Sequence, residues 1–284
     1  MTTFHIGSHP VHRVGFGAMQ LPGPGVFGPP RDHGAAIAVL RRAVELGVDH
    51  IDTAQFYGPN VANELIREAL HPYPENLVLV SKVGARRDDQ GNWTAAQQPD
   101  ELRADIEENL RTLGTDRLAA VNLRIHSGDP NAVGDVDPEL FGRQLDAMIA
   151  ARDEGLIGGI GLSSISVDHL RFALERTEIV TVQNAYNLVD RTSQPVLDLC
   201  VERDIAFVPF FPLGSGFSAD NPVLGNPAVK QAAADLGRSP AQVALAWTLA
   251  VAPNVLLIPG TSSVAHLEEN LAVDDIELPA GFAP

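Results

Sequence analysis

Tyr57 is the first residue of the sequence for which a chemical role can be argued. The segment HIDTAQFYG at 50–58 is a short apolar stretch that ends at Asp52 and reaches Tyr57 five residues later. An isolated phenol titrates near pH 10, so it gives up its proton poorly at neutral pH. A tyrosine that donates protons in catalysis therefore needs a cation beside it.

Lys82 is the candidate cation. It closes the apolar run LVLVSK at 77–82, and the chain contains only one other lysine, Lys230. Desolvation of an ammonium group is costly unless the group is paired, and Asp52 is the candidate partner. At about 4 Å and an effective dielectric constant of about 20, Lys82 would favour the phenolate by roughly 4 kcal/mol, or about three pKa units. We therefore expect the pKa of Tyr57 to move toward neutrality.

His126 ends the next apolar run, residues 118–126, so polar side chains stand at or just beyond the ends of three successive predicted strands. Taken singly, each has a structural explanation, as a helix cap, a packed loop residue or a solvated strand end. Taken together, they favour a catalytic group. Asn122, Arg124 and His126 share one face of the strand, and we expect Arg124 to be an inward ion-pair residue that shares Asp52.

Strand and helix patterns alternate along the whole chain. The predicted strands are 14–17, 50–53, 77–82, 118–126, 157–162, 179–183, 205–209 and 255–258. The predicted helices are 33–46, 61–70, 99–113, 138–154, 167–176, 194–203, 228–236, 240–250 and 263–271. This pattern is typical of an α/β fold, and it predicts one (β/α)8 TIM barrel domain over residues 1–284. The alternative is an open doubly wound sheet, but no GxGxxG motif follows a strand.

The N-terminal residues 3–14 predict a β-hairpin with its turn at Gly7 and Ser8. His5, His9 and His12 lie close together there and could suggest a metal site. No acidic ligand joins them, so a surface hairpin is the favoured interpretation and no metal is predicted.

Composition excludes several classes of function. With 284 residues, 45% of them hydrophobic, and no apolar run near 18 residues, no membrane span is expected. The N-terminus lacks a signal-peptide pattern. Cys200 is the only cysteine, which indicates a reducing cytoplasm. A net charge of −16 disfavours nucleic acid and anionic membranes as partners. We expect a cytoplasmic monomer or weak homo-oligomer.

The segments IDTAQFYG, VSK and NLRIH resemble the aldo-keto reductase superfamily of (β/α)8 barrels, over nearly the whole chain. The resemblance implies a catalytic tetrad of Asp52, Tyr57, Lys82 and His126 that reduces a small-molecule carbonyl with a reduced nicotinamide. Tyr57 would donate the proton, Asp52 would orient Lys82, and a neutral His126 would polarise the carbonyl. It also implies that the N-terminal hairpin plugs the barrel bottom. The C-terminus is shortened relative to many members, which predicts an open substrate mouth.

NADP(H) is the cofactor that the resemblance implies. Ser163, Ser164 and Gln183 would bind the carboxamide, Phe210 would stack on the nicotinamide, and Leu213, Ser215 and Gly216 would approach the pyrophosphate. The remaining implied contacts are Gly17, Met19, Thr261, Ser262, Ser263, His266, Glu269 and Asn270, of which the 261–266 group forms an anion site for the 2′-phosphate and the last two bind adenine. Many members have a lysine where Gly260 stands and an arginine near His266. We therefore expect a modest NADPH preference, which Gly260→Lys strengthens provided that the new side chain reaches the phosphate without a backbone clash.

Within the family, GAMQLPGPGVFGPPRD, VGARR and FVPFFPLG are similar to a bacterial subgroup that includes pyridoxal reductases. The resemblance implies reduction of pyridoxal to pyridoxine. Phe27, Phe56, Trp93 and Phe211 could wall a pocket for an aromatic aldehyde, or pack in the core. Arg86 and Arg87 could meet a polar ring substituent, or lie in a solvated loop. The alternatives are a reductase of other small aldehydes or ketones, and a regulatory protein that binds the cofactor without turnover. The intact tetrad and short termini favour the enzyme.

Overall fold

Parallel strands that alternate with helices form the molecule, as the sequence pattern predicts. The computed structural model describes residues 2–126, 132–214, 221–279 and 281–282. The strands are β1 Thr3–Ile6, β2 His9–His12, β3 Phe16–Gly17, β4 His50–Asp52, β5 Val78–Val83, β6 Ala85–Arg87, β7 Trp93–Ala95, β8 Leu118–Arg124, β9 Ile157–Ser163, β10 Thr181–Gln183 and β11 Ala206–Phe207. The α-helices are α1 His33–Glu45, α2 Val61–Leu70, α3 Pro99–Leu113, α4 Pro138–Asp153, α5 Val167–Leu174, α6 Gln194–Glu202, α7 Pro222–Gly225, α8 Pro227–Leu236, α9 Pro240–Ala250 and α10 Val264–Leu271.

Seven of the strands form one parallel sheet in the order β11-β10-β9-β8-β5-β4-β3. The segment 254–257 joins its two edges. Leu256 donates its amide to the carbonyl of Phe207 at 2.9 Å, and Leu257 donates to Arg13 at 2.8 Å. The sheet is therefore closed, which confirms the (β/α)8 barrel and makes the open doubly wound alternative wrong. The eighth strand makes only isolated bridges, because Pro253 and Pro259 flank it and contribute no amide donors.

Local sequence signals account for the helix boundaries. Asp32 caps α1 by accepting the Ala35 amide at 2.9 Å, and Ser239 forms a capping box with Gln242 at the start of α9. Gly114 ends α3 with a φ of 68°, which glycine adopts without a steric penalty. The bounds of α2, α3 and α9 are those predicted, while most other elements are one or two residues shorter. No helix in the described part of the chain is long and apolar enough to cross a membrane.

The N-terminal hairpin packs against the barrel, as expected. Strands β1 and β2 pair in an antiparallel register, and their Ile6 and Val11 join Val78, Val80 and other apolar side chains of the barrel strands in one buried cluster. His12 donates its amide to Asp49, and its Nδ1 lies 2.8 Å from Asp49 Oδ2. The hairpin is therefore fastened by both packing and a polar contact.

A second hairpin, β6–β7, was not predicted from the sequence. Its strands pair in an antiparallel register at the mouth of the barrel, directly after β5. The connecting residues 88–92, DDQGN, contain the glycine and aspartate that mark a short hairpin loop. That signal could have identified the hairpin, whose strands of three residues are too short for a periodic pattern.

Candidate active site

Asp52, Lys82 and Tyr57 meet inside the barrel. Asp52 ends β4, and Lys82 lies near the end of the neighbouring strand β5. The ammonium group of Lys82 donates hydrogen bonds to Asp52 Oδ1 and, at 3.1 Å, to the carbonyl of Thr53. It also lies 5.1 Å from the ring centroid of Tyr57. All three residues are buried, at 4% to 6% exposure.

The environment of Tyr57 does not lower its pKa. Burial raises the pKa of the phenol, and this effect, helped by the nearby charge of Asp52, exceeds the opposing effects of Lys82 and Arg124. The expected shift toward neutrality is therefore wrong for the free protein, because the sequence argument counted the Lys82 charge and not the desolvation. Burial lowers the pKa of Lys82, but Asp52 and Tyr57 more than compensate, so the pKa of Lys82 is raised. Tyr57 is thus a protonated donor beside a charged lysine.

His126 lies two residues beyond the end of β8 and is half-buried. Burial lowers the pKa of its imidazole, and the charge of Arg124 lowers that pKa further. At neutral pH His126 is therefore uncharged and can donate a hydrogen bond, which is the state that carbonyl polarisation requires. The charge of Arg124 also acts on Tyr57.

Gln183 connects the charged group to the expected cofactor site. Its Nε2 donates to Asp52 Oδ2 at 2.7 Å, a contact that sequence reasoning did not predict. Among the described residues, Gln183 Oε1 and Ser164 Oγ are buried without a hydrogen-bond partner. Such atoms normally have partners. A carboxamide would offer a donor to the first and an acceptor to the second, so these residues fit a nicotinamide.

Ser163 ends β9 beside Gln183, and Ser164 follows it. Ser163 pairs with Gln183 across the sheet, and Ser164 has a φ of 58°, a conformation in which asparagine is more common than serine. The Ser164 amide donates to the carbonyl of Gln183 at 2.9 Å. This hydrogen bond fixes the backbone of Ser164 beside β10.

The loop after β11 contains the expected stacking residue. Phe210 is half-buried, and its ring centroid lies 5.4 Å from the guanidinium carbon of Arg124. Leu213 is held in place because its carbonyl accepts Asn221 Nδ2 at 2.7 Å. Ser215 and Gly216, predicted to approach the pyrophosphate, lie outside the described residues.

The start of α10 brings the predicted anion-binding residues together. Ser263 caps the helix by accepting the His266 amide at 3.5 Å, and it donates its own amide to Thr261 Oγ1 at 3.0 Å. Ser262 and His266 are exposed, so both can reach a bound phosphate. Further along the helix, Glu269 is exposed and Asn270 is half-buried.

Gly17 and Gly260 lie where two segments of backbone approach so closely that neither position can hold a side chain. A Cβ atom at Gly260 would lie 2.5 Å from the carbonyl oxygen of Gly17, and one at Gly17 would lie 2.4 Å from that of Ile258. The condition for a benefit of Gly260→Lys is therefore not met, because the Gly17 backbone leaves no room for a side chain at Gly260. Met19, in the 3-10 helix Ala18–Gln20, is half-buried and packs on the core.

A polar network behind Lys82 was also missed. Asn109 of α3 is fully buried and donates to the Lys82 carbonyl at 3.3 Å and to Gln55 Oε1 at 3.0 Å. Its own oxygen accepts Ser81 Oγ at 2.6 Å. The signal was a row of polar residues, Asp105, Asn109 and Thr112, on the otherwise apolar face of a predicted helix. This network fixes the backbone that presents Lys82.

Three of the four aromatic residues proposed as a substrate wall are close together. Phe56 makes edge contacts with Tyr57 at 5.2 Å and with Trp93 at 5.4 Å between ring centroids. The Arg87 guanidinium lies between Trp93 and Phe27, at 4.2 Å and 5.4 Å from their centroids. Phe211 is separate and contacts Phe210.

Neither arginine of β6 lies in a solvated loop. Arg87 donates to the carbonyls of Gly25, Val26 and Gly91 at 2.9 to 3.1 Å. It therefore joins the glycine- and proline-rich loop to the second hairpin. Arg86 donates instead to Asp105 Oδ1 at 2.9 Å. Both guanidinium groups have protein partners, which argues against a direct role on a substrate substituent.

Comparison with known proteins agrees with this geometry. Residues 13–282 match the aldo/keto reductase family. The chain is 48% identical over 276 residues to pyridoxine 4-dehydrogenase of Escherichia coli K12, covering 97% of this chain and 94% of that protein. It is 38% identical to an uncharacterized oxidoreductase of Schizosaccharomyces pombe, covering 97% and 86%.

The similar solved structures are also aldo-keto reductases. An aldo/keto reductase of Klebsiella pneumoniae in complex with NADP and acetate superposes with a TM-score of 0.79 at 25% identity, covering 99% of this chain and 92% of that one. A thermostable aldo-keto reductase in complex with epalrestat gives 0.80 at 27% identity, covering 100% and 97%. Since the family match spans nearly the whole sequence and the barrel presents the expected polar group, the chain belongs to the aldo/keto reductase family.

Proposed function

We propose that this protein is an NADPH-dependent carbonyl reductase that converts pyridoxal to pyridoxine. The observation that carries the proposal is the buried group of Asp52, Lys82 and Tyr57 in a chain 48% identical to a pyridoxine 4-dehydrogenase. The buried unpartnered atoms of Gln183 and Ser164 support a nicotinamide at this site.

Each residue of the catalytic group has a separate role in the reaction. When bound, the reduced nicotinamide supplies a hydride to the carbonyl carbon of the aldehyde. The electron pair of the C=O bond moves to oxygen, which takes the proton of Tyr57, so the aldehyde becomes a primary alcohol as the dihydronicotinamide is oxidised. Lys82 stabilises the phenolate that Tyr57 becomes, and Asp52 holds Lys82 in place. Neutral His126 donates a hydrogen bond to the carbonyl oxygen.

The aromatic side chains favour a planar substrate. Phe56 is buried and contacts both Tyr57 and Trp93, so the exposed ring of Trp93 is joined to the catalytic group through Phe56. Trp93 is 38% exposed, so a bound ring would remove it from water, a gain available to an aromatic aldehyde more than to a short aliphatic one.

Oxidation of NADPH by the purified protein tests the proposal. We expect turnover with pyridoxal and with nitrobenzaldehyde, and the reverse reaction with pyridoxine and NADP. Turnover with nitrobenzaldehyde alone would assign a different aldehyde as substrate. NADPH binding without turnover of either aldehyde would instead favour the regulatory cofactor-binding protein.

We also propose a single domain, a cytoplasmic location and a monomeric or weakly associated state, without nucleic-acid partners. The net charge of −16 disfavours a nucleic-acid partner. In the described part of the chain the exposed large apolar residues are Trp93, Val133, Val189 and Val201, a small set that favours a monomer or a weak oligomer. Light scattering after size-exclusion chromatography measures the oligomeric state.

A further inference from the structure

Arg124 lies in the row of side chains that crosses the mouth of the barrel. It ends β8 and pairs in register with Ser163 of β9, which in turn pairs with Gln183 of β10. These three side chains therefore share a row on the interior face of adjacent strands. An arginine at this position is not required by the tetrad, since Asp52 accepts from Lys82 and Gln183 rather than from Arg124 as expected.

The guanidinium of Arg124 contacts Ser163 and Phe210. Its Nη1 lies 3.5 Å from Ser163 Oγ, and its central carbon lies 5.4 Å from the ring centroid of Phe210. Arginine side chains stack on aromatic rings in this way, which restricts the planar group to one orientation. Ser163 and Phe210 are the residues expected at the nicotinamide, so Arg124 borders the expected cofactor site.

The charge of Arg124 acts on two of the four catalytic groups. The charged and titratable groups that act on Tyr57 in the described part of the chain are Lys82, Asp52 and Arg124. Arg124 is the charged group that acts on His126. Its charge lowers the pKa of Tyr57 and that of His126. The guanidinium itself stays protonated at working pH although burial lowers its pKa.

We propose that Arg124 is a positioning residue of the reduction site: its guanidinium, in one row with Ser163 and Gln183 and in contact with Ser163 and Phe210, places a second positive charge at the barrel mouth that favours the Tyr57 phenolate. The proposal rests on the carbonyl reduction proposed above. Tyr57 needs this help because its burial opposes ionisation more strongly than Lys82 alone favours it. An uncharged imidazole on His126 is not repelled by the guanidinium of Arg124, so it can contact the carbonyl oxygen.

The experiment compares the parent with Arg124→Lys, which keeps a charge, and with Arg124→Met and Arg124→Gln, which remove it. Arg86→Gln is the matched control, since Arg86 pairs with Asp105 outside the catalytic group. Circular dichroism selects the variants that fold, so either uncharged variant suffices. The kcat and KM for pyridoxine oxidation are measured across pH, because this direction requires the Tyr57 phenolate. Proton NMR follows the His126 ring, assigned with His126→Ala.

We expect the uncharged variants to lose about tenfold or more in kcat, with the alkaline rise of the rate moved to higher pH. The His126 titration should move to higher pH in the same variants, while Arg124→Lys and Arg86→Gln keep both profiles near the parent. A fall in kcat with both pH profiles unmoved would show a merely structural role and overturn the proposal. A parent without turnover but with the His126 shift intact would refute the carbonyl reduction, and not the electrostatic action of Arg124.

Discussion

At the scale of single residues, Tyr57 keeps its proton because its burial outweighs the Lys82 charge. A proton donor must be protonated at the start of the reaction, so this balance favours reduction over oxidation at neutral pH. Tyr57→Phe removes the donor and leaves the aromatic contact with Phe56. We expect kcat for aldehyde reduction to fall by about 10²-fold or more, with the NADPH dissociation constant unchanged. A fall below about tenfold would assign the proton donor elsewhere.

Gly260 and Ser262 both lie near the predicted 2′-phosphate site, but only Ser262 has room for a positively charged side chain. Any side chain at Gly260 meets the Gly17 carbonyl, so Gly260→Lys should lower the thermal stability. Ser262 is exposed beside the start of α10, so Ser262→Arg adds a charged donor without a clash. Charge-assisted hydrogen bonds are roughly twice as strong as neutral ones. We expect Ser262→Arg to tighten NADPH selectively over NADH, as measured by fluorescence titration. Equal tightening of both cofactors would place the 2′-phosphate elsewhere.

At the scale of elements, the β6–β7 hairpin and the loop around the 3-10 helix Pro24–Val26 form one side of the substrate mouth, and Arg87 joins them. Arg87→Gln removes the cation between Trp93 and Phe27, an interaction of about 1–2 kcal/mol. We expect KM for pyridoxal to rise up to about tenfold, with little change in NADPH affinity. Arg86→Gln, one residue away and directed at Asp105, is the control. Equal effects of both changes would indicate general loosening of the hairpin.

Helix α3 is joined to the same hairpin by Asp105, a carboxyl group that is 3% exposed. Burial raises the pKa of Asp105 from 3.8 to about 6, despite the opposing contact with Arg86. Since the pKa of Asp105 is higher in the folded state than in the unfolded state, its protonation stabilises the folded protein below about pH 4. This contribution of Asp105 is lost as the pH rises through about 6. The shift corresponds to at most about 3 kcal/mol.

Asp105→Asn should remove this pH dependence. We expect the free energy of unfolding, measured with urea, to be nearly constant from about pH 4 to pH 7 in the variant, apart from other titrating groups, and to fall in the parent. Loss of the contact with Arg86 offsets part of the gain at neutral pH. Glu101→Gln, at the half-exposed second partner of Arg86, is the control. A parent with the same profile as Asp105→Asn would contradict the raised pKa.

Sequence patterns predicted elements where local chemistry dictates the outcome. Pro99 at the first turn and Gly114 after the last fix α3 without reference to the rest of the chain. The β6–β7 hairpin was not predicted because its strands of three residues are too short for a periodic pattern, and part of its support comes from the distant loop that Arg87 contacts. The pKa of Tyr57 was wrong for a related reason, since the sequence indicates which charges are near but not how much water the barrel excludes.

At the scale of the whole molecule, barrel closure unites residues that are far apart in sequence. Gln183 and Asp52, which share a hydrogen bond, are separated by 131 positions. The strand order predicted that side chains at the strand ends would converge, because parallel strands present their carboxyl ends at one face. It could not predict which of them touch, because the barrel tilt sets the register between strands. The Gln183 contact with Asp52 and the position of Arg124 therefore emerged only from the folded chain.

The net charge of −16 belongs to the whole molecule, and it should affect the rate at which the cofactor associates. NADPH is an anion, and the described anion site has neutral hydroxyl groups and helix amides rather than arginine or lysine side chains. Long-range repulsion should therefore slow association at low salt. The Debye length falls from about 30 Å at 0.01 M to about 8 Å at 0.15 M ionic strength. We expect the NADPH association rate constant from stopped-flow fluorescence to rise over this range. Ser262→Arg should reduce the rise, because it adds local attraction that salt also screens. An association rate that falls with salt in the parent would instead show that a local positive field dominates the site.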